Sequence, residues 1–338
     1  MFLALFVYIV IRCLLQSEVS YINKTLMAVL NIFFVLPFLI HFAQKNEFGS
    51  ENQIVRAVMI TCTVATIITI VCLSNASVQE YVKFTILQIQ EDEYIFRNDY
   101  RGFGLASRLT SNYGFILGFV AGMGCFYLKN NRWFLYCIPF LIVASLVNSR
   151  TSAIIAFSLI TIYLFSSRQK GYALLVGVGA CLFFGYFSNI MQLLNVDART
   201  YEWIMSFQEQ IADVAESGSM SASVTTSKLF GTMVVWPETV GQWLIGRGYD
   251  IFFAHSHLHS DNGWIRQLNY GGIFYLILFY NIFFRLLNRL VRHNNVSYMF
   301  AFLIVFSIVN TKTMSFPGDT LFPLMMFFYF FKTNKTLR

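Results

Sequence analysis

The sequence predicts an all-α, polytopic integral membrane protein of about ten transmembrane helices, with one large external loop that contains short helices. Three observations predict it. The chain is 57% hydrophobic and only 12% charged, about half the charge of a soluble protein, which excludes a water-soluble enzyme. Its mean hydropathy is +0.58, with 37 Phe and 18 Tyr. The apolar runs are also continuous and of helix-spanning length, whereas a transmembrane barrel alternates in segments of ~10 residues.

Set against the ~20 residues needed to cross a bilayer, the apolar runs fall near 1–15, 25–43, 54–73, 110–128, 133–148, 151–166, 172–190, 264–284, 298–313 and 320–331. The first lacks a basic leader and a small-residue cleavage site, so it reads as a retained span, short at 15 residues. The fifth and sixth meet at Asn148-Ser149-Arg150-Thr151, too tight for a wide loop, which predicts two helices folding back on each other. The last contains Pro323.

Basic residues lie in the connections at Lys129 and Arg132, at Arg168 and Lys170, at Arg285, Arg289 and Arg292, and in the tail at Lys332, Lys335 and Arg338. The positive-inside rule puts these four segments in the cytoplasm, with both termini. The organisation that follows is 1–190, seven spans with an external loop near 74–109; 191–263, the large external loop; and 264–338, three spans and a basic tail. Acids agree, since all but Glu47 and Glu51 of the 17 then lie outside. The net charge of +7 is scattered among these loops and does not form a nucleic-acid surface, so no nucleic-acid partner is expected. The six cysteines all fall in apolar runs, where a disulfide framework is not expected.

Within 191–263, Ile204, Phe207, Ile211 and Val214 recur at helical spacing and predict a surface helix. Ser217 to Lys228, with seven Ser or Thr among twelve residues, reads as a mobile connector. A short helix is expected from Pro237 to Gly246.

Arginines near span ends on the outer face, where positive-inside depletes them, are the first functional candidates: Arg97, Arg101, Arg108, Arg150, Arg199, Arg247 and Arg266. Guanidinium forks fit phosphate oxygens in a bidentate way, so several together could hold a lipid-linked pyrophosphate as a leaving group; each alone could instead snorkel to headgroups. The second constellation is His255, His257, His259 and Asp261, just before a span. If extended, the four share one face and could build a metal site, but no further cluster completes a shell. A general base is the stronger reading, because imidazole titrates near neutrality and a carboxylate such as Asp261 could orient it; a hydrogen-bonded interfacial loop is the bland alternative. Third, Arg101-Gly102-Phe103-Gly104 and Ser111-Asn112-Tyr113-Gly114 flank the fourth span, where glycines serve close approach, by a substrate or by another helix.

Taken in order, RGFGLASRLTSNYG, the NSRTSAI tip, DARTYEW, LIGRGYD, HLHSDNGWIRQLNYGGI and a basic turn resemble the O-antigen polymerase and ligase superfamily, including Wzy-type polymerases, over roughly 97–285. The resemblance implies a bacterial glycosyltransferase at the outer face of the cytoplasmic (inner) membrane. Its substrate would be an undecaprenyl-pyrophosphate-linked oligosaccharide in the membrane lipid, and it would need neither a nucleotide sugar nor a metal or other cofactor. It places the family's pyrophosphate-binding arginines on Arg199 and Arg247 and its histidine on His259, with His257 as a close rival. The expected activity is polymerisation of a surface polysaccharide, O-antigen (lipopolysaccharide) or capsule, by block transfer with inversion. In it Asp261 orients the histidine, and Arg101, Arg150 and Arg266 help hold the donor. A polysaccharide chain-length regulator is the protein partner the resemblance implies. A ligase passing glycan to a lipid A core is the nearest alternative; its histidine pattern has nine residues where His259-Ser260 is followed by ten before Gly271. A flippase of the same lipid-linked sugar is the alternative from another class, although charge here concentrates at one face rather than along a central pathway.

Overall fold

The computed structural model describes residues 2–16, 30–45, 50–89, 111–167, 224–252, 259–314 and 321–333 continuously, with shorter pieces between them. The described residues form helices and connections and no strand. In order these are α1 (Phe2–Gln16), α2 (Leu36–Lys45, entered through a π turn at Asn31–Val35), α3 (Glu51–Ser74) and α4 (Ala76–Glu80, leaving through a π turn at Tyr81–Ile86). Then follow α5 (Asn112–Cys125), α6 (Phe134–Asn148), α7 (Arg150–Ser166), α8 (Val224–Phe230), α9 (Val240–Ile245), α10 (Gly263–Arg292), α11 (Val296–Lys312) and α12 (Leu321–Thr333). The apolar runs therefore became helices with ends close to those expected, apart from 172–190, most of which lies outside the described residues. Two of them, α3 with 24 residues and α10 with 30, are long and apolar enough to cross a membrane; α1, α5, α6, α7, α11 and α12 are apolar but shorter.

The chain divides into two compact units. One comprises Ser50–Glu216 and is built on α5, which packs against α6 and α7, while α3 lies against α6 and α5. Gly114, Gly118 and Gly122 recur every four residues on α5, and a Cβ on Gly118 would lie 2.2 Å from the Ser152 carbonyl oxygen. That stripe lets the backbones of α5 and α7 approach closely. The Asn148-Ser149-Arg150-Thr151 tip reduces to one extended residue, Ser149, between α6 and α7. Its polar groups are answered locally: the Ser152 hydroxyl donates to the Ser145 carbonyl at 2.6 Å and Asn148 Nδ2 to the Ala144 carbonyl at 2.7 Å. At one end of this unit the Tyr127 hydroxyl bonds Glu51, and Asn130 Nδ2 donates to Asn52 Oδ1 at 3.1 Å.

The second unit comprises Met1–Gly49 and Ser217–Arg338, with α10 contacting α1, α9, α11 and α12. Its core is aromatic. Phe279 stacks on Phe316 at 5.3 Å between ring centroids, Phe283 meets Phe306 at 4.3 Å, and Tyr275 lies parallel to Phe279 at 6.0 Å.

Two expectations for the external loop need correction. The connector read over Ser217–Lys228 is helical from Val224, because Leu229 at the end of α8 is buried and tertiary burial outweighs the weak helix propensity of Ser and Thr. The helix expected from Pro237 starts instead at Val240, where the Thr239 hydroxyl accepts from Gln242 N; it does end at Gly246. The surface helix of 204–214 lies largely outside the described residues.

Candidate functional site

The second unit gathers its polar groups around the first half of α10. Asn262 starts the helix by accepting from the backbone N–H of Trp264 and Ile265, at 3.0 and 3.4 Å. Its own Nδ2 donates to the Leu229 carbonyl at 3.3 Å, which ties the helix start to α8. Ten residues on, Gly272 leaves the helical region at φ +65° and interrupts the ladder. A helix interrupted this way exposes carbonyls that need other donors. Arg247 N donates to Asn269 O at 2.5 Å, Gly248 N to Tyr270 O at 3.0 Å, and the Tyr8 hydroxyl to Gly271 O at 2.6 Å. The approach is so close that a Cβ on Gly272 would sit 2.5 Å from Gly246 N.

This docking fixes Arg247, whose side chain is 8% exposed. Its Nε donates to Asn269 Oδ1 at 3.0 Å and its Nη2 to Glu238 Oε1 at 3.2 Å, on a Glu238 side chain that is 69% exposed. Arg266, one turn into α10, grips both oxygens of Asp250 and lies with its guanidinium 4.7 Å from the Phe252 ring centroid. Phe252 also meets His259, at 5.1 Å between ring centroids, and its carbonyl lies 3.2 Å from His259 Nδ1. With Nδ1–H donating there, His259 Nε2 carries the lone pair. Asp261 Oδ1 is 3.5 Å from that Nε2, and Lys312 Nζ from the end of α11 holds Asp261 Oδ2 at 3.3 Å. The arrangement offers an exposed imidazole beside a carboxylate anchored from its far side, with the Arg266 guanidinium joined to it through Phe252.

Of the residues expected from the sequence, the structure thus brings together His259 and Asp261, and links them through Phe252 to Arg266. Arg266 is engaged by Asp250, so it holds the loop rather than presenting an open fork. Arg150 belongs to the first unit, where its Nη2 donates to the Trp203 carbonyl and the Ser206 hydroxyl, and its guanidinium lies 4.8 Å from the Trp203 ring centroid. This joins the NSRTSAI tip to the end of the DARTYEW motif. His255, His257, Arg97, Arg101, Arg108 and Arg199 lie outside the described residues. Gly104 of the RGFG motif, at φ +49°, is a packing device: a Cβ there would lie 2.1 Å from Thr69 Oγ1, and its carbonyl accepts from Lys83 Nζ at 3.3 Å. Burial pushes the Lys83 ammonium down to about 8.

Several participants escaped the sequence reading. Lys312 falls inside the 298–313 run, near its end, where a cation carries the same signal as the arginines. Asp250 closes the LIGRGYD motif without a role of its own, and Glu238 has no local pattern. Among the described residues no group of three or more His, Cys, Asp or Glu is placed to hold a metal.

Among the described residues these features define an all-helical protein with two membrane-capable helices and a polar site at the start of the longer one. No family model, curated protein or solved structure matches the chain.

Proposed function

We propose that the protein is a multi-pass membrane glycosyltransferase that polymerises a surface polysaccharide from lipid-pyrophosphate-linked repeat units, with its site on the outer face of the cytoplasmic membrane. The observation that carries this reading is the pairing of His259 with a Lys312-anchored Asp261, on the loop that also carries Arg247. In the reaction, His259 Nε2 takes the proton of an acceptor hydroxyl as its oxygen attacks the anomeric carbon of the donor glycan. The bond from that carbon to the pyrophosphate oxygen breaks, and the lipid pyrophosphate leaves with the electron pair, neutralised by Arg247. Asp261, whose Oδ1 lies 3.5 Å from that same Nε2, then faces an imidazolium and stabilises it by charge, while the Phe252 carbonyl holds Nδ1–H and orients the ring. Arg199 and Arg101 enter through the family resemblance alone.

The ten-span topology, with both termini cytoplasmic, belongs to the same proposal. It is supported by the apolar helices beyond α3 and α10, and by the Tyr127–Glu51 and Asn130–Asn52 contacts, which join two segments assigned to the cytoplasmic side.

The test is incubation of purified protein with a lipid-pyrophosphate-linked repeat unit, beside Arg247→Ala and His259→Ala. The expected result is a ladder of products from the wild type that both variants lose. Transfer of single units only after addition of a lipid A core would make the protein a ligase; no transfer to either acceptor would reject glycosyl transfer in favour of transport.

A further inference from the structure

Three arginines lie against the first half of α10 or the loop docked on it, and they differ in how their charge is met. Arg266 has both oxygens of Asp250, and Arg247 has Glu238. The third, Arg12, has no carboxylate partner among the described residues. It is the one charged residue in α1, on a stripe with Leu5 and Ile9, all three buried, while Leu3, Val7, Ile11, Leu14 and Leu15 are exposed. Arg12 is 6% exposed; its Nη2 donates to the Gly246 carbonyl at 2.8 Å, and its Nε is buried with no hydrogen-bond partner among the described residues.

A role as a strut explains only part of this. The carbonyls at the end of α9 need donors, and Arg12 supplies one to Gly246. A neutral donor does that work without bringing a charge out of water, and a buried charge with no counter-charge is among the costliest arrangements a fold can keep. The guanidinium makes sense when an anion meets it. Its contact is on the carbonyl of the residue that precedes Arg247, whose own guanidinium meets Asn269 and Glu238.

We infer that Arg12 is a second anion-binding residue, acting with Arg247 to hold the phosphate groups of a pyrophosphate-bearing lipid. The identity of that ligand rests on the function proposed above; the buried guanidinium of Arg12 on the carbonyl next to Arg247 does not. Glu238, a single contact on an exposed side chain, occupies the Arg247 fork until the phosphate displaces it.

The experiment measures binding to the full chain in phosphatidylcholine nanodiscs with three probes: inorganic pyrophosphate, a polyprenyl pyrophosphate in the disc, and phosphatidylglycerol in the disc. Wild type, Arg12→Gln, Arg12→Lys and Arg247→Gln are compared below their unfolding temperatures. Arg12→Gln is expected to weaken polyprenyl pyrophosphate about tenfold or more, the loss typical of a charge-assisted bond, with Arg247→Gln similar and Arg12→Lys between it and wild type. Parallel weakening of inorganic pyrophosphate supports recognition of the phosphates themselves. Unchanged affinity in both Arg12 variants, with a lower unfolding temperature for Arg12→Gln, would make Arg12 a strut and overturn the inference. An equal dependence for phosphatidylglycerol would also overturn it, leaving a site for ordinary anionic lipid. The outcomes separate from those of the proposed function: a wild-type ladder that Arg12→Gln leaves intact, with binding unchanged, sinks this inference alone. Arg12-dependent binding without any ladder sinks the polymerase reading alone.

Discussion

Asp250 meets Arg266 through both carboxylate oxygens, at 2.9 and 2.5 Å, with side chains 3% and 9% exposed. The pair fastens the loop after Gly248 to the first turn of α10 and sets where Phe252, and through it His259, stands.

Removing one member leaves the other charged and buried. Asp250→Asn and Arg266→Met are each expected to destabilise the protein by about 3 kcal/mol, and the double variant by less than the sum. Thermal unfolding in detergent across the four proteins checks this; additive losses would show that the two groups do not depend on each other.

Lys312 touches Asp261 rather than His259, so in the proposed reaction its role is positioning. Lys312→Met is expected to lower kcat by roughly 10- to 100-fold with little change in KM for the lipid-linked donor, and Lys312→Arg to recover much of it. Single-turnover rates at saturating donor measure this. A change confined to KM would instead assign Lys312 to binding.

Lys83 provides a pH signature for the first unit. Its ammonium is fully buried against the Gly104 carbonyl, and burial lowers its pKa from the usual 10.5 to about 8, partly opposed by the Cys72 thiol beside it. Between those values the unfolded chain keeps a proton that the folded one has released, so stability rises with pH from about 8 to 10.5. The rise amounts to about 3 kcal/mol at most. Lys83→Met is expected to be more stable than wild type below pH 8 and to lose the rise, read from unfolding temperatures at several pH values.

Gly118 tests the packing of α5. Gly118→Leu drives a side chain into Ser152 and is expected to cost about 3 kcal/mol or to prevent folding, whereas Gly171→Ala, where a Cβ would meet nothing within 4 Å, is expected to be neutral. Folded yield after extraction separates them.

Helix positions were legible because continuous apolar length is a strong signal: α3, α6, α7, α10 and α11 begin and end within a few residues of the apolar runs, save that α10 carries its helix on to Arg292. The pairing of His259 with Asp261 was legible from two residues of separation. Lys312, 51 residues from its partner, and Asp250, 16 residues from Arg266, depend on tertiary docking that no local period encodes. Arg12 was visible as a charge in an apolar run, but its meaning lay in Gly246, 234 residues away.

The kink at Gly272 has a bearing on how such a protein diversifies. Arg247 N and Gly248 N reach α10 through main-chain carbonyls, so most side chains between 231 and 245 are left free of that duty. Trp236 and Trp243, stacked at 5.7 Å and exposed, take no part in those bonds and can be exchanged while Arg247 keeps its place. Gly246 and Gly272 are the positions that cannot drift with them.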